Sequence, residues 1–275
     1  MNILFIGYGK TSQRVAKQLF ADGHRIYTMS RSVKTDHFAT HDIQDLQALD
    51  LSAYPLIDWV YVLLSPSESS IDGYQKTYVD TIAPIVKALQ THPVQRVVVV
   101  SSTRVYGDDT GQAIDDETPP NPKDVQGQLL LKMEQLWQQA YPQKTIIIRP
   151  SGIYGISVVR LQTLAQASTY PNIHWSNRIH IDDLAGFLAY LTQIPQSTLA
   201  SSYIVSDSRP QPMHEILQWF QVQAKHSILN LDNTDVQTGK RLYATNLYES
   251  GFVLQHQNCF EVYQHLLNEA EKTTP

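Results

Sequence analysis

The first residues with the types and spacing to do chemistry lie at the start of the chain. Gly7-Tyr8-Gly9-Lys10-Thr11-Ser12 follows a short apolar run, Ile3–Ile6, and precedes a stretch with Val15, Ala16, Leu19 and Phe20 on one helical face. Asp22-Gly23 ends that stretch, and a second apolar run, Ile26–Met29, follows. Strand, tight turn, helix and strand in this order open a βαβ unit that holds a dinucleotide. Gly7 lets the chain leave the strand sharply. Gly9 lets backbone N–H groups approach a pyrophosphate at the positive end of the helix. Tyr8, Lys10 and Thr11 ride on the same turn. Ser12 stands where the usual pattern has a third glycine, a position that needs a small side chain.

The end of the second strand bears on which dinucleotide binds. An acidic residue there would hold the ribose 2′-hydroxyl of NAD, but this strand runs into Ser30-Arg31-Ser32. Arginine forks onto phosphate and the flanking hydroxyls add donors, so NADP is expected, with NAD possible. Further along, Ser101-Ser102-Thr103 follows four consecutive valines, Val97–Val100. Hydroxyls at the carboxyl end of a central strand point into the nucleotide crevice. Ser101, and Leu64 and Ser65 after the preceding strand, are expected beside the cofactor.

The elements that must position these groups alternate along the chain. Strands are predicted at Ile3–Ile6, Ile26–Met29, Trp59–Leu64, Val97–Val100, Thr145–Ile148 and Tyr203–Val205. Helices are predicted at Ser12–Ala21, Tyr74–Gln90, Val125–Ala140, Asp183–Leu191 and Met213–Ala224. The pattern implies an α/β fold, a Rossmann-type doubly wound parallel sheet with a small C-terminal substrate lobe. Residues 1–149, with core continued by 176–206, form the NADP-binding domain. Residues 150–175 and 207–275 form the smaller substrate-binding lobe. Residues 108–124, rich in acids and proline, read as a surface loop.

Composition narrows the function further. The chain has 275 residues, 42% of them hydrophobic, and a net charge of −5. No lysine or arginine run suggests a nucleic-acid partner. Cys259 is the single cysteine, so no internal disulfide forms, which suits a reducing cytoplasm. No stretch is long and apolar enough to span a membrane. The ten histidines are scattered, with no His-x-x-x-His on a predicted helix and no paired cysteines, so no metal site is expected.

Three further segments, taken with the glycine turn, carry a resemblance. They are Ser101-Ser102-Thr103-Arg104-Val105-Tyr106-Gly107, Arg149-Pro150-Ser151-Gly152-Ile153-Tyr154-Gly155 and Arg178-Ile179-His180-Ile181-Asp182-Asp183-Leu184-Ala185. In this order the chain resembles the extended short-chain dehydrogenases/reductases, the NAD-dependent epimerases and dehydratases, over essentially its whole length. The resemblance implies that Asp42-Ile43 holds the adenine, and that Ser102 is the catalytic hydroxyl. It also implies that Thr103, Tyr154, Arg178 and His180 line the substrate side. It further implies a homodimer, built from the helices Tyr74–Gln90 and Val125–Ala140.

One departure is decisive for chemistry. The family's reaction uses a Tyr-x-x-x-Lys pair in which tyrosinate is the general base. Aligning Gly127 and Glu134 puts Gln126 at the tyrosine and Leu130 at the lysine. Neither titrates. No tyrosine lies between Tyr106 and Tyr141, so a register slip does not restore the pair. The chain therefore resembles the atypical subgroup that keeps the serine and loses the pair. Tyr106, Tyr154, His180, Lys123 and Lys132 are the alternative proton-transfer groups. Lys132 lies about 200° round the helix from Leu130 and faces away. The expected function is an NADP-dependent oxidoreductase, epimerase or dehydratase acting on a sugar-like or nucleotide-linked small molecule. The alternative is a dinucleotide-binding sensor or interaction protein without catalysis.

Overall fold

The computed structural model describes residues 1–273. The chain divides into two compact units: residues 1–107, 120–149 and 184–203 form the first, and residues 108–119, 150–183 and 204 onward form the second.

The first unit is organised by apolar runs that bury both faces of a sheet. Its strands are β1 (Asn2–Ile6), β2 (Arg25–Met29), β3 (Ala39–Asp42), β4 (Trp59–Val62) and β5 (Arg96–Val100). After β6 (Gln112–Ile114), which belongs to the second unit, comes β7 (Thr145–Pro150). The seven-stranded sheet runs β7-β5-β4-β1-β2-β3, with the strand Ser202–Val205 outside β7. Its ladders from β7 to β3 are parallel. Ile3–Ile6, Val97–Val99 and Ile147–Ile148 are fully buried, as strands covered on both faces must be. The expected Rossmann-type α/β class is observed, and β3 extends it beyond the strands predicted.

Helix α1 (Lys10–Ala21) buries Ser12, Val15, Ala16 and Leu19. It stops at Gly23, whose φ of +85° permits the left-handed turn that closes the helix. Phe20, expected on the buried face, is 49% exposed.

The single helix predicted over Tyr74–Gln90 is interrupted. Helix α2 (Ile71–Tyr74) passes through one wide turn, Gln75–Val79, into α3 (Ile82–Leu89). Pro84 explains the break, because its ring nitrogen cannot donate to the carbonyl four residues back. The Asp80 N–H reaches back five residues, to Gln75 O, and the Thr81 hydroxyl bonds Thr77 O. Helix α4 (Val125–Ala140) is as predicted, and Asp124 caps it by accepting the Gly127 N–H at 2.8 Å.

The second unit contains a four-stranded sheet in the order Gln211–Pro212, Ile173–Ser176, Gln237–Leu242 and β6. Segment 108–124 is therefore not only a loop. Gln112–Ile114 pairs in parallel with Lys240–Leu242, a partner too remote in sequence for local pattern to indicate. The helix Met213–Gln223 packs Ile216, Leu217 and Phe220 with Cys259 and Tyr263 into a separate core.

Candidate functional site

The carboxyl ends of β1, β2 and β4 converge on a cleft of about 440 Å³ in the first unit. Such ends are where ligands of open α/β sheets bind. Gly7 turns the chain off β1 with φ +91°, and a Cβ there would lie 2.1 Å from Leu63 O, so no other residue fits. Gly9 differs. It begins α1 in extended backbone, and a Cβ on it would meet nothing within 4 Å. The first turn of α1 carries no acid, and Gly9 provides no side-chain cap. Its leading N–H groups thus face open space at the positive end of a 12-residue helix. Ser12 shows why serine serves in place of the third glycine. It is 1% exposed, and its hydroxyl donates to Gly7 O at 2.8 Å, closing the turn.

The cleft gathers many of the residues expected at a cofactor. Gly7, Tyr8, Gly9, Ser30, Arg31, Ser32, Leu64 and Ser65 line it. Arg31 Nη2 donates across it to Ser65 O at 3.4 Å, and the Ser30 hydroxyl donates to Ser32 O. Lys34, Lys76 and Gln44 also line it and were not singled out in the sequence. Lys34 follows Arg31 by three residues in a loop without periodicity, where only charge could have marked it. Lys10 and Thr11 lie on the first turn of α1, outside the lining.

Asp42 and Ile43 stand outside the lining too. The Asp42 carboxylate accepts from Gln44 Nε2, the Tyr54 hydroxyl and the Ile43 N–H. These contacts, Gln44 foremost, hold its pKa below the usual carboxylate range. Tyr8 is buried beside Phe5 and His41, with the Asp36 carboxylate close to its hydroxyl. Burial, with the Asp36 charge, pushes that phenol well above its ordinary pKa. Ser101 at the end of β5 has a buried hydroxyl without a partner among the described residues.

Beyond Ser101 the chain makes a short turn, Thr103–Val105, where Ser102 Oγ accepts the Arg104 N–H at 3.1 Å. Ser102 is half-buried and Thr103 is buried. Tyr106 was expected near the crevice; instead it is 1% exposed and its hydroxyl accepts from Arg149 Nη1 at 2.8 Å. Arg149 also grips Glu134 through two bonds, of 3.1 and 2.6 Å. A buried cation and anion need each other, and Tyr106 is drawn into their network, which ties the Ser102 turn to α4 and β7. Gln126 is half-buried near the start of α4, with Oε1 accepting from Arg104 Nη2 at 2.5 Å and Nε2 donating to Ser69 O at 2.6 Å. Leu130 is 2% exposed, so an ionised lysine there would have no solvent. Lys123 and Lys132 are exposed.

In the second unit the parallel ladder between Gly152–Tyr154 and Arg178–His180 sets Tyr154 beside His180 in register. Their rings meet edge to face at 5.2 Å. Gly155, with φ +103°, leaves room for the imidazole: a Cβ would lie 2.2 Å from His180 Nε2. Arg178 Nε donates to the Tyr263 hydroxyl at 2.8 Å. The Tyr154 hydroxyl is buried without a partner among the described residues, and burial raises its pKa.

The fold also joins residues that the sequence separates. His180, Asp182 and His256 offer ligand atoms within 4.8 Å of one another. Their arrangement is a stack. The two imidazole rings lie 3.6 Å apart with planes 23° from parallel, so their in-plane lone pairs run side by side rather than converge. His180 Nδ1 accepts the Asp182 N–H, and the Asp183 carboxylate takes the Gln255 and His256 N–H groups. The cluster therefore orders the turn at His180–Asp183 and fastens the segment at Gln255–His256 to Asp183.

Asp207 is the perturbed carboxyl of this unit. Burial pushes its pKa up to about 6, against the Arg209 N–H and the Arg178 charge. The folded chain thus keeps a proton that the unfolded chain has lost. The group costs nothing below pH about 4, and stability falls as pH rises from there through about 6. Asp207→Asn is expected to stabilise the protein by up to about 3 kcal/mol above pH about 7, with no gain at low pH. Urea titrations at both pH values measure this, and a gain independent of pH would contradict it.

Residues 7–173 match the NAD dependent epimerase/dehydratase family. The chain belongs to that family. A solved structure from Methylobacillus flagellatus, described as a candidate NAD-dependent epimerase/dehydratase, is 31% identical, covers 98% of each chain and superposes with a TM-score of 0.82. Protein YeeZ of Escherichia coli is 28% identical over 148 residues, 54% of this chain and 53% of that protein. The match thus spans about half the length of that relative. MoeE5, solved with UDP-glucose and NAD, is 16% identical, covers 100% of both chains and has a TM-score of 0.77. At that identity the likeness is one of fold. Among the described residues no helix is long and apolar enough to cross a membrane.

Proposed function

We propose that this chain is an NADP-dependent oxidoreductase, epimerase or dehydratase acting on a sugar-like or nucleotide-linked small molecule. The observation that carries this is the open space over Gly9, at the head of α1, in a cleft lined also by Arg31 and Lys34. Bare helix N–H groups suit a pyrophosphate, and two cations separated in sequence by Ser32-Val33 alone suit a 2′-phosphate. The Ser101 hydroxyl, without a partner among the described residues, is a further donor for a dinucleotide. Gly7, Gly9, Ser30, Arg31, Ser32, Leu64 and Ser65 would hold it. When bound, its nicotinamide ring supplies hydride exchange with a substrate carbon.

The chain's own part is to bind, orient and move protons. Ser102 is the hydroxyl for a substrate oxygen, since its Oγ accepts from Arg104 N–H and its proton is left to donate. Gln126 and Leu130 exclude a tyrosinate base at the usual place. The fold-level neighbour that binds UDP-glucose and NAD supports a nucleotide-sugar class of substrate. Half-buried Leu129, Leu131 and Leu136 on α4 support a second copy of the chain as partner. Loss of the Tyr/Lys pair favours a second reading, a dinucleotide sensor without turnover.

Fluorescence titration with both reduced cofactors tests the assignment. NADPH is expected to bind about 2–4 kcal/mol more tightly than NADH, from two or three charge-assisted contacts. Arg31→Ala is expected to remove most of that preference. Equal affinities in the native protein, or a preference unchanged in Arg31→Ala, contradict it.

A further inference from the structure

Arg104 is positioned more tightly than a surface arginine requires. Its Nε donates to both Asp124 oxygens, at 3.0 and 3.1 Å, and its Nη2 donates to Gln126 Oε1. The Tyr74 ring lies 5.9 Å from its guanidinium carbon. Its backbone is fixed as well: its N–H is held by Ser102 Oγ, and its carbonyl is 3.0 Å from where a Gly127 Cβ would sit. Gln126 is pinned in turn to Ser69 O. All these groups belong to the first unit.

The guanidinium has five N–H donors in a planar fork. Asp124 and Gln126 occupy the Nε–Nη2 edge. Nη1 has no hydrogen-bond partner among the described residues, so the opposite edge, Nη1–Nη2, keeps its paired donors. The side chain is 41% exposed. That edge has the geometry of a two-oxygen anion. It stands two residues beyond Ser102, past the carboxyl end of β5, where ligands of such sheets bind.

We propose that Arg104 binds an anionic group of the substrate, a carboxylate or a phosphate, with Gln126 and Asp124 as the residues that position it. Asp124 neutralises part of the charge, which makes the site selective for a ligand presenting two oxygens in one plane rather than for any anion. Gln126 fits this arrangement as tyrosine would not, because its amide oxygen accepts from Arg104 while its N–H₂ fastens to the Ser69 carbonyl. The inference rests on the proposed enzymatic reading, and names the substrate class for the same site.

Malonate and inorganic phosphate are the probes. Thermal protection by each is measured against chloride at matched ionic strength, with and without saturating NADPH. Native protein is expected to bind malonate, phosphate or both, and Arg104→Gln to weaken the binding about tenfold or more. Arg104→Lys keeps the charge but loses the fork, and is expected to recover only part. Asp124→Asn frees the guanidinium from its competing carboxylate and is expected to tighten binding. Protection by malonate alone assigns a carboxylate, and by phosphate alone a phosphorylated substrate. No protection of the native protein, or protection undiminished in Arg104→Gln, overturns the proposal. The dinucleotide titration reports separately, so failure of NADPH to bind is distinguishable from failure of the anion site.

Discussion

Glu134→Ala is expected to be among the most destabilising single substitutions in this protein. Glu134 is 1% exposed and Arg149 7% exposed, and the carboxylate takes two of the arginine's donors. Removing it leaves a guanidinium buried with Tyr106 as its one remaining side-chain partner among the described residues, at a cost of about 3–5 kcal/mol. Total stabilities are commonly about 5–15 kcal/mol, so about a fifth or more of the margin is at stake. Replacing both charges together, as Glu134→Met with Arg149→Leu, is expected to cost less than Glu134→Ala alone, because no charge is then stranded. Urea denaturation of the native protein and the two variants measures the difference. A loss below about 1 kcal/mol in Glu134→Ala would contradict the buried pair. The turn that carries Ser102 is tied to this network through Tyr106, so the variant is also expected to loosen the site it supports.

Gly9→Val separates binding from folding. Gly9 has φ −90° and ψ −169°, which valine adopts freely, and a Cβ there meets no atom within 4 Å. The fold is expected to keep its stability. The added methyls, however, fill the space over the first N–H groups of α1. Dinucleotide affinity is expected to fall by about 1–3 kcal/mol or more, the usual cost of overfilling a packed site. Gly7 makes the contrast, since any side chain there strikes Leu63 O and requires φ +91°, so its substitution damages the fold itself. Melting temperature and cofactor titration on Gly9→Val read the two effects apart. Unchanged affinity in a folded Gly9→Val would place the pyrophosphate elsewhere.

The sheet and the glycine turn were legible because their signals are local. Buried parallel strands such as Val97–Val100 are continuous apolar runs, and the turn is a spacing of small residues between a strand and an amphipathic helix. The second unit was less legible because its order comes from distant pairings. Gln112–Ile114 is three residues long and finds its partner at Lys240–Leu242. His256 stacks on His180 where Asp183 takes its N–H, a pairing that no spacing announces. Lys34 lies in an aperiodic loop. Tyr106 was expected beside the crevice from its motif, but the need of buried Arg149 for acceptors drew its hydroxyl inward. Helical periodicity marks Tyr74–Gln90 as one helix, but Pro84 removes a backbone donor and the chain spreads into a wide turn rather than running through.

The cleft at the carboxyl ends of β1, β2 and β4 is the proposed NADP site. Crystals of the protein grown with NADPH test it most directly. Density is expected for a dinucleotide with its pyrophosphate on the Gly7–Gly9 turn and its 2′-phosphate against Arg31 and Lys34. A cleft that stays empty at saturating NADPH, or a dinucleotide bound with its adenosine end away from Arg31, would contradict it.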